Sequence, residues 1–286
     1  CMNQYVDLLA SHRIPGKERD QLKKISIKKQ QHVIIVYRNH FFVLNVIENS
    51  KRINDEDIVR SLQGIIQLTE ENAQGLGVLT SLPRTTWTEI RNELLKGNHQ
   101  YEERKQKQFH NLDELNRKSM NLIEQSIFFV CLDQSSDLKF KRNSISLAEQ
   151  ILHGGRNLIN CSNRWYDKTL QFIFGNDGLV GVNFEHSPAD GVVIIRLIEN
   201  IYKSMLNQIE NSFDYENLPI PCRLKWNLSE FIRDKIHFAK QNLQKSIHDL
   251  DLFILNFSNY GKQFPKTHQL SPDAFIQLAF QLTYYK

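Results

Sequence analysis

The feature that most narrows what this chain can fold into is a strand, turn, strand and helix run at residues 169–205. Residues 169–175 and 179–184 are apolar, β-branched or aromatic, and Asn176-Asp177-Gly178 between them signals a tight turn. Residues 192–205 carry apolar side chains at helical spacing and read as a packed helix. Between strand and helix lies Phe184-Glu-His-Ser-Pro-Ala-Asp-Gly191. A strand that ends in His-x-x-x-Asp-Gly and turns into a helix sets His186 at a sheet edge on a rigid mount. A base that must be held still is expected in such a place.

The rest of the chain alternates in the same way. Residues 1–25 are polar, with a turn at Pro15-Gly16. Strands are expected at 33–37, 41–47, 127–132 and 251–257, and a short glycine-bounded strand at 75–80. Helices are expected at 54–68, 84–95, 110–125 and 146–152, the last stopping at Gly154-Gly155. Leu218-Pro-Ile-Pro221 is the best internal boundary. Beyond it Ser229 caps a helix with an apolar stripe from Ile232 to Leu250. Residues 261–270 read as a polar, basic loop, and Ser271-Pro272-Asp273 opens a final helix. The alternation implies an α/β (α+β) fold.

Bulk properties remove several function classes. The net charge of +4 is mild and its lysines and arginines are scattered, as on solvated faces; a nucleic-acid module would concentrate them on one face. No run of about 18 uncharged apolar residues exists to span a membrane, and no basic-then-apolar leader opens the chain. The 4 cysteines, Cys1, Cys131, Cys161 and Cys222, match neither a metal site nor a disulfide framework, so no metal is expected and a reducing compartment is the simplest reading. Glycine-rich phosphate cradles are absent, which argues against kinases and dinucleotide enzymes.

Asn163-Arg-Trp-Tyr-Asp-Lys-Thr-Leu-Gln-Phe172, followed by Glu185-His-Ser-Pro-Ala-Asp-Gly191, resembles the choline/carnitine O-acyltransferase family. The likeness runs from Cys1-Met-Asn-Gln-Tyr5 to Ser271-Pro-Asp-Ala-Phe-Ile-Gln277, essentially the whole chain. It implies a mixed-sheet domain similar to chloramphenicol acetyltransferase over residues 1–227, with the start of a second such domain at 228–286. It further implies a parent protein about twice as long or more, of which this chain is a fragment.

The resemblance implies that His186 is the base that passes an acyl group between coenzyme A and a quaternary-ammonium alcohol. An alcohol is a poor nucleophile toward a thioester, and an imidazole that takes its proton as the bond forms contributes ~10² to 10⁴ in rate. Histidine suits this because its ordinary pKa lies near working pH. Direct attack is expected, without an acyl-enzyme. Asp190 is assigned by likeness to a structural ion pair at the turn, and His153 to a turn element. Trp165 is expected in the core and Asp167 beside a base, while Tyr166 stays open between lining the substrate tunnel and packing.

Gly261-Lys-Gln-Phe-Pro-Lys266 with Thr267, His268, Gln269, Leu270, Ser271, Pro272 and Asp273 resembles the family's coenzyme A stretch. Lys262 and Lys266 supply point charges for phosphates, and the helix starting at Ser271 offers free backbone N–H groups. Acetyl-CoA is then a co-substrate, and no cofactor is bound permanently.

Tyr166, Ser187-Pro188, Asp190 and Asn259-Tyr260-Gly261 lean toward choline as acceptor; Cys1-Met-Asn-Gln, Ile14-Pro-Gly and Phe264-Pro-Lys266 lean toward carnitine. Choline is preferred. The implied setting is a cytoplasmic monomer, or a mitochondrial or peroxisomal one on the carnitine reading. The competing class is a non-catalytic binding or folding module.

Overall fold

The structure is a computed structural model and describes residues 8–25, 31–48, 50–96, 106–135, 143–206 and 221–285. Its strands, in chain order, are β1 (Ser11–Ile14), β2 (Gln21–Lys24), β3 (His32–Tyr37), β4 (His40–Asn45), β5 (Ile47–Glu48), β6 (Lys51–Arg52), β7 (Phe129–Asp133), β8 (Leu170–Gly175), β9 (Val180–Phe184) and β10 (Cys222–Arg223). The helices are α1 (Asp55–Leu68), α2 (Arg84–Lys96), α3 (Gln106–Gln125), α4 (Ser144–His153), α5 (Gly191–Leu206), α6 (Glu230–Asp249), α7 (Gln263–Thr267) and α8 (Pro272–Tyr285).

Two compact units are present, Cys1–Asp251 and Leu252–Lys286. The first is built on a six-stranded sheet in the order β10-β4-β3-β7-β8-β9. β3, β7 and β8 run parallel to one another; the remaining pairings are antiparallel. The fold is therefore mixed α/β. β3 is apolar along nearly its whole length because both of its faces are covered. Ile34 and Val36 point into a cluster with Trp87, Ile123 and Ile236 from α2, α3 and α6. Val33 and Ile35 point the other way, onto Ile65 of α1. A third cluster joins Leu170 to Val193 and Ile194 of α5.

Local chemistry explains the element ends. Asn54 caps α1 by accepting the Asp57 N–H, Asn143 forms a capping box on α4, and Ser229 caps α6. Gly154 takes the left-handed conformation, with φ 87°, that closes α4.

Four expectations need correction. Residues 76–81 form a 3₁₀ turn, not a strand. Leu76 to Thr80 are buried on every side, and a short run buried all round has no periodicity to separate strand from helix. Residues 251–257 form no strand: no described strand pairs with them, and Phe253 and Leu255 are 76% and 74% exposed. The loop at 261–270 contains α7. The polar opening segment folds as the β1–β2 hairpin around Pro15-Gly16, too short and too charged to show a strand's alternation. The expected break at 218–221 lies outside the described residues except for Pro221.

In the second unit, Tyr260, Phe264 and Phe275 cluster, with ring centroids 4.5 Å apart for the tilted Tyr260–Phe264 pair and 6.4 Å for the edge-on Phe264–Phe275 pair. Among the described residues no helix is long and apolar enough to cross a membrane.

Candidate active site

The β8–β9 hairpin delivers His186. Its turn closes when Gly175 N–H donates to the Leu179 carbonyl at 2.8 Å and Gly178 N–H to that of Gly175 at 3.1 Å. Gly178 has φ 86°, which the third residue of such a turn requires. Along β9 the side chains alternate. A Cβ on Gly181 would lie 2.5 Å from the Ile151 side chain, so α4 presses closely on this face. Asn183, two residues on, donates Nδ2 to the carbonyls of Ile151 (2.8 Å) and Leu152 (3.1 Å). On the opposite face Val182 and Phe184 pack with Val193 and Ile194 of α5.

Ladder pairing continues to Glu185, whose N–H donates to the Thr169 carbonyl at 3.0 Å. His186 then leaves the sheet, with an exposed side chain and its ring centroid 5.6 Å from that of Phe184. Ala189 is buried and α5 begins at Gly191. The expected strand, imidazole and helix sequence is present. Asp190 differs from expectation. It is exposed and, among the described residues, makes no ion pair; its carbonyl accepts the Val193 N–H at 3.0 Å.

The carboxylate that ties this turn is Glu185. It accepts the Ser187 N–H on both oxygens at 3.2 Å, the Ser187 hydroxyl at 2.7 Å and Arg13 Nη1 at 3.3 Å. Arg13 Nε also faces Asp167 and Asp20, each at 3.4 Å. Asp167 in turn accepts from Arg84 Nη1 at 2.6 Å and from the Trp87 indole at 2.7 Å. Burial raises the Asp167 pKa against the lowering pull of Arg84, Trp87 and Arg13. Nothing in the sequence singled out Arg13, Arg84 or Glu185. Their partners are up to 172 positions away, beyond any periodicity.

Trp165 is fully buried, edge-on to Trp87 at 6.0 Å and to Phe41 at 5.6 Å, so it belongs to the core as expected. The Tyr166 hydroxyl donates to the Leu152 carbonyl at 3.1 Å. His153 ends α4 and is buried.

The remaining sequence-derived candidates lie in the second unit. Lys262 is the N-cap of α7 and Lys266 sits one turn later; both are exposed. Thr267 donates its hydroxyl to the Phe264 carbonyl at 2.8 Å, and His268 Nδ1 lies 2.9 Å from the same oxygen. Gln269 turns the chain with φ 59°, and Leu270 N–H donates to the Pro265 carbonyl at 2.9 Å. Ser271 caps α8, accepting the Ala274 N–H at 3.4 Å, with Pro272 and Asp273 in the first turn. These nine residues thus share one helix–turn–helix, with the two lysines a turn apart.

Among the described residues no group of three or more His, Cys, Asp or Glu side chains could hold a metal ion. A cleft of about 860 Å³ lies at the β10–β4 edge, bounded by His40, Glu71, Leu76, Arg223 and Trp226. None of the residues around His186 lines it.

Comparison with known proteins places these features in a family. The family model described as Choline/Carnitine o-acyltransferase matches residues 1–286. The chain is 37% identical over 295 residues to choline O-acetyltransferase of Sus scrofa and 36% identical over 295 residues to that of Danio rerio. It is 37% identical over 294 residues to carnitine O-acetyltransferase of Mus musculus. Each match covers 100% of this chain but only 43% or 44% of the relative, so the chain spans less than half their length.

Proposed function

The chain belongs to the choline/carnitine O-acyltransferase family, and from that premise we propose that the full-length protein moves an acetyl group between acetyl-CoA and the hydroxyl of choline, with His186 as general base. The observation that carries the reading is the exposed His186 ring at the end of β9, immediately before α5, within a chain matched by the family along its whole length. In the reaction a neutral imidazole nitrogen takes the hydroxyl proton as the oxygen attacks the thioester carbonyl carbon. The C–S bond then breaks, and the imidazolium returns the proton to the departing coenzyme A sulfur.

The two buried cysteines fit poorly as nucleophiles. Burial pushes the Cys131 thiol up to about 12 and raises that of Cys161, so neither is a ready thiolate. For the co-substrate, Lys262 and Lys266 are exposed and one turn apart, suited to a diphosphate and a ribose phosphate. Thr267, His268, Gln269, Leu270, Ser271, Pro272 and Asp273 complete that segment in this reading. Carnitine is the alternative acceptor, supported by the equally similar carnitine O-acetyltransferase of Mus musculus. The same reading assigns 1–227 to the first acyltransferase domain and 228–286 to the start of the second.

Release of the free thiol of coenzyme A, followed with a thiol-reactive dye, tests this. The full-length protein is expected to release it from acetyl-CoA when choline is added, and His186→Ala to lose ~10² to 10⁴ of that rate. Undiminished release by His186→Ala would overturn the base. Release with carnitine but not choline would change the acceptor.

A further inference from the structure

One carboxylate spans the residue proposed as base. Glu185 precedes His186, yet its side chain reaches past it to Ser187, holding both the N–H at 3.2 Å and the hydroxyl at 2.7 Å. The backbone at 186 is therefore fixed on each side, by Glu185 N–H on the Thr169 carbonyl before it and by the Ser187 N–H on the carboxylate after it. Arg13 Nη1, at 3.3 Å, binds the same carboxylate to β1. Through Asp167, Arg84 and the Trp87 indole, that arginine is linked to the buried core.

We propose that Glu185 and Arg13 are positioning residues that set the direction of the His186 imidazole. This rests on His186 being the base. Neither residue need touch a substrate. Glu185 is matched to its place because Oε1 gathers three donors, the Ser187 N–H, the Ser187 hydroxyl and Arg13 Nη1, while Oε2 shares only the Ser187 N–H. Glutamine could keep an oxygen at the Oε1 position but would lose the charge that Arg13 pairs with and set an amide beside the Ser187 N–H. Aspartate is a methylene short. The Arg13–Glu185 pair is part-buried, with 25% and 11% side-chain exposure, so folded protein is measured beside kcat to separate the geometry of the turn from stability. A base displaced by about 1 Å can lose ~10²-fold in rate without losing affinity.

The test is steady-state kinetics of the full-length enzyme with acetyl-CoA and choline, or carnitine if that is the acceptor. Glu185→Ala, which removes the acceptor, is expected to lower kcat by ~10²-fold while both KM values stay within about 3-fold, and Glu185→Gln, which can keep an oxygen at the Oε1 position, is expected to lose less. Ser187→Ala removes one donor and is expected to lower kcat by roughly 3- to 10-fold. The double variant Glu185→Ala with Ser187→Ala is expected to be no slower than Glu185→Ala alone, because both act through one contact.

A Glu185→Ala kcat within about 2-fold of wild type, or a loss matched by an equal fall in folded protein, would overturn the proposal. Strictly multiplicative losses in the double variant would do the same. His186→Ala, measured alongside, separates the two ideas. If it is inactive while Glu185→Ala is unimpaired, only the positioning role falls. If it retains activity, the base assignment fails and the positioning role with it.

Discussion

Arg164 and Asp133 meet with both side chains wholly buried, Nη1 2.9 Å from Oδ1 and Nη2 2.7 Å from Oδ2. The same guanidinium donates Nε to the Ile151 carbonyl at 3.2 Å and Nη2 to that of Gln150 at 2.6 Å. A cation thus closes the last turn of α4, the end at which a helix favours positive charge. Burial acts against the charge, but Asp133 outweighs it and holds the guanidinium above its ordinary pKa. The Ile151 carbonyl also receives Asn183 of β9, so this pair stands two strands and one helix end away from His186.

Removing one half of that pair should be costly. Asp133→Leu leaves a buried guanidinium uncompensated, with an expected loss of ~3 to 5 kcal/mol in urea denaturation. Adding Arg164→Met should restore most of the loss, since the second charge then no longer needs a partner. A single variant within about 1 kcal/mol of wild type would mean that water reaches the site.

Lys168 gives a pH signature. It is fully buried, and its ammonium donates to the carbonyls of Glu124 and Ser126. Burial lowers its pKa from the ordinary lysine value to about 7, with Glu124 opposing. Above that value the folded protein releases a proton that the unfolded chain keeps. Stability therefore rises with pH through this window, and the cost of the buried charge is fully present below it. The slope is at most ~1.4 kcal/mol per pH unit. Above pH ~8.5 the buried thiols of Cys131 and Cys161 act in the opposite sense, because their pKa values are raised. Denaturation midpoints between pH 7 and 8.5 should climb in wild type and climb less in Lys168→Met.

Two glycines should respond in opposite directions to alanine. A Cβ on Gly77 would lie 2.3 Å from the Ser162 carbonyl oxygen and 2.5 Å from that of Arg164, both backbone atoms that cannot swing aside. Gly77→Ala is expected to cost roughly 1 to 3 kcal/mol or more. Gly64, in the middle of α1, has nothing within 4 Å of the place an added methyl would take, and Gly64→Ala should gain about 0.5 to 1 kcal/mol from helix propensity. Chemical denaturation of the two variants side by side checks both signs.

If Lys262 and Lys266 hold coenzyme A phosphates, replacing either by alanine should raise the KM for acetyl-CoA by roughly 10-fold and leave that for the acceptor unchanged. The effect should shrink at high salt, because both lysines are exposed and screened. Equal changes in both KM values would argue against the assignment.

Much of the architecture could be read from the chain because its signals are local. Ser229 and Ser271 each cap the helix that their side chains suggested, and Gly154 stops α4 where a glycine should. The 176–178 turn follows from Asn-Asp-Gly between two apolar runs. The 3₁₀ turn at 76–81 was not legible, since its conformation is imposed by close approach of the 162–164 backbone to Gly77. The network at the candidate site was largely hidden. Asp167 was expected beside a base and meets Arg84 and Arg13, but that these two arginines and Glu185 are the partners emerges only through the tertiary fold.

The three-residue turn before β9 has a consequence eight positions downstream. It sets which β9 side chains meet α4 and which meet α5, and only one arrangement puts the missing side chain of Gly181 against Ile151. Sliding the strand by a single residue would drive Val182 into that helix and swing the imidazole to the other side of the sheet. Gly178, at the other end of β9 from His186, therefore acts as the stop that indexes the strand carrying the proposed base.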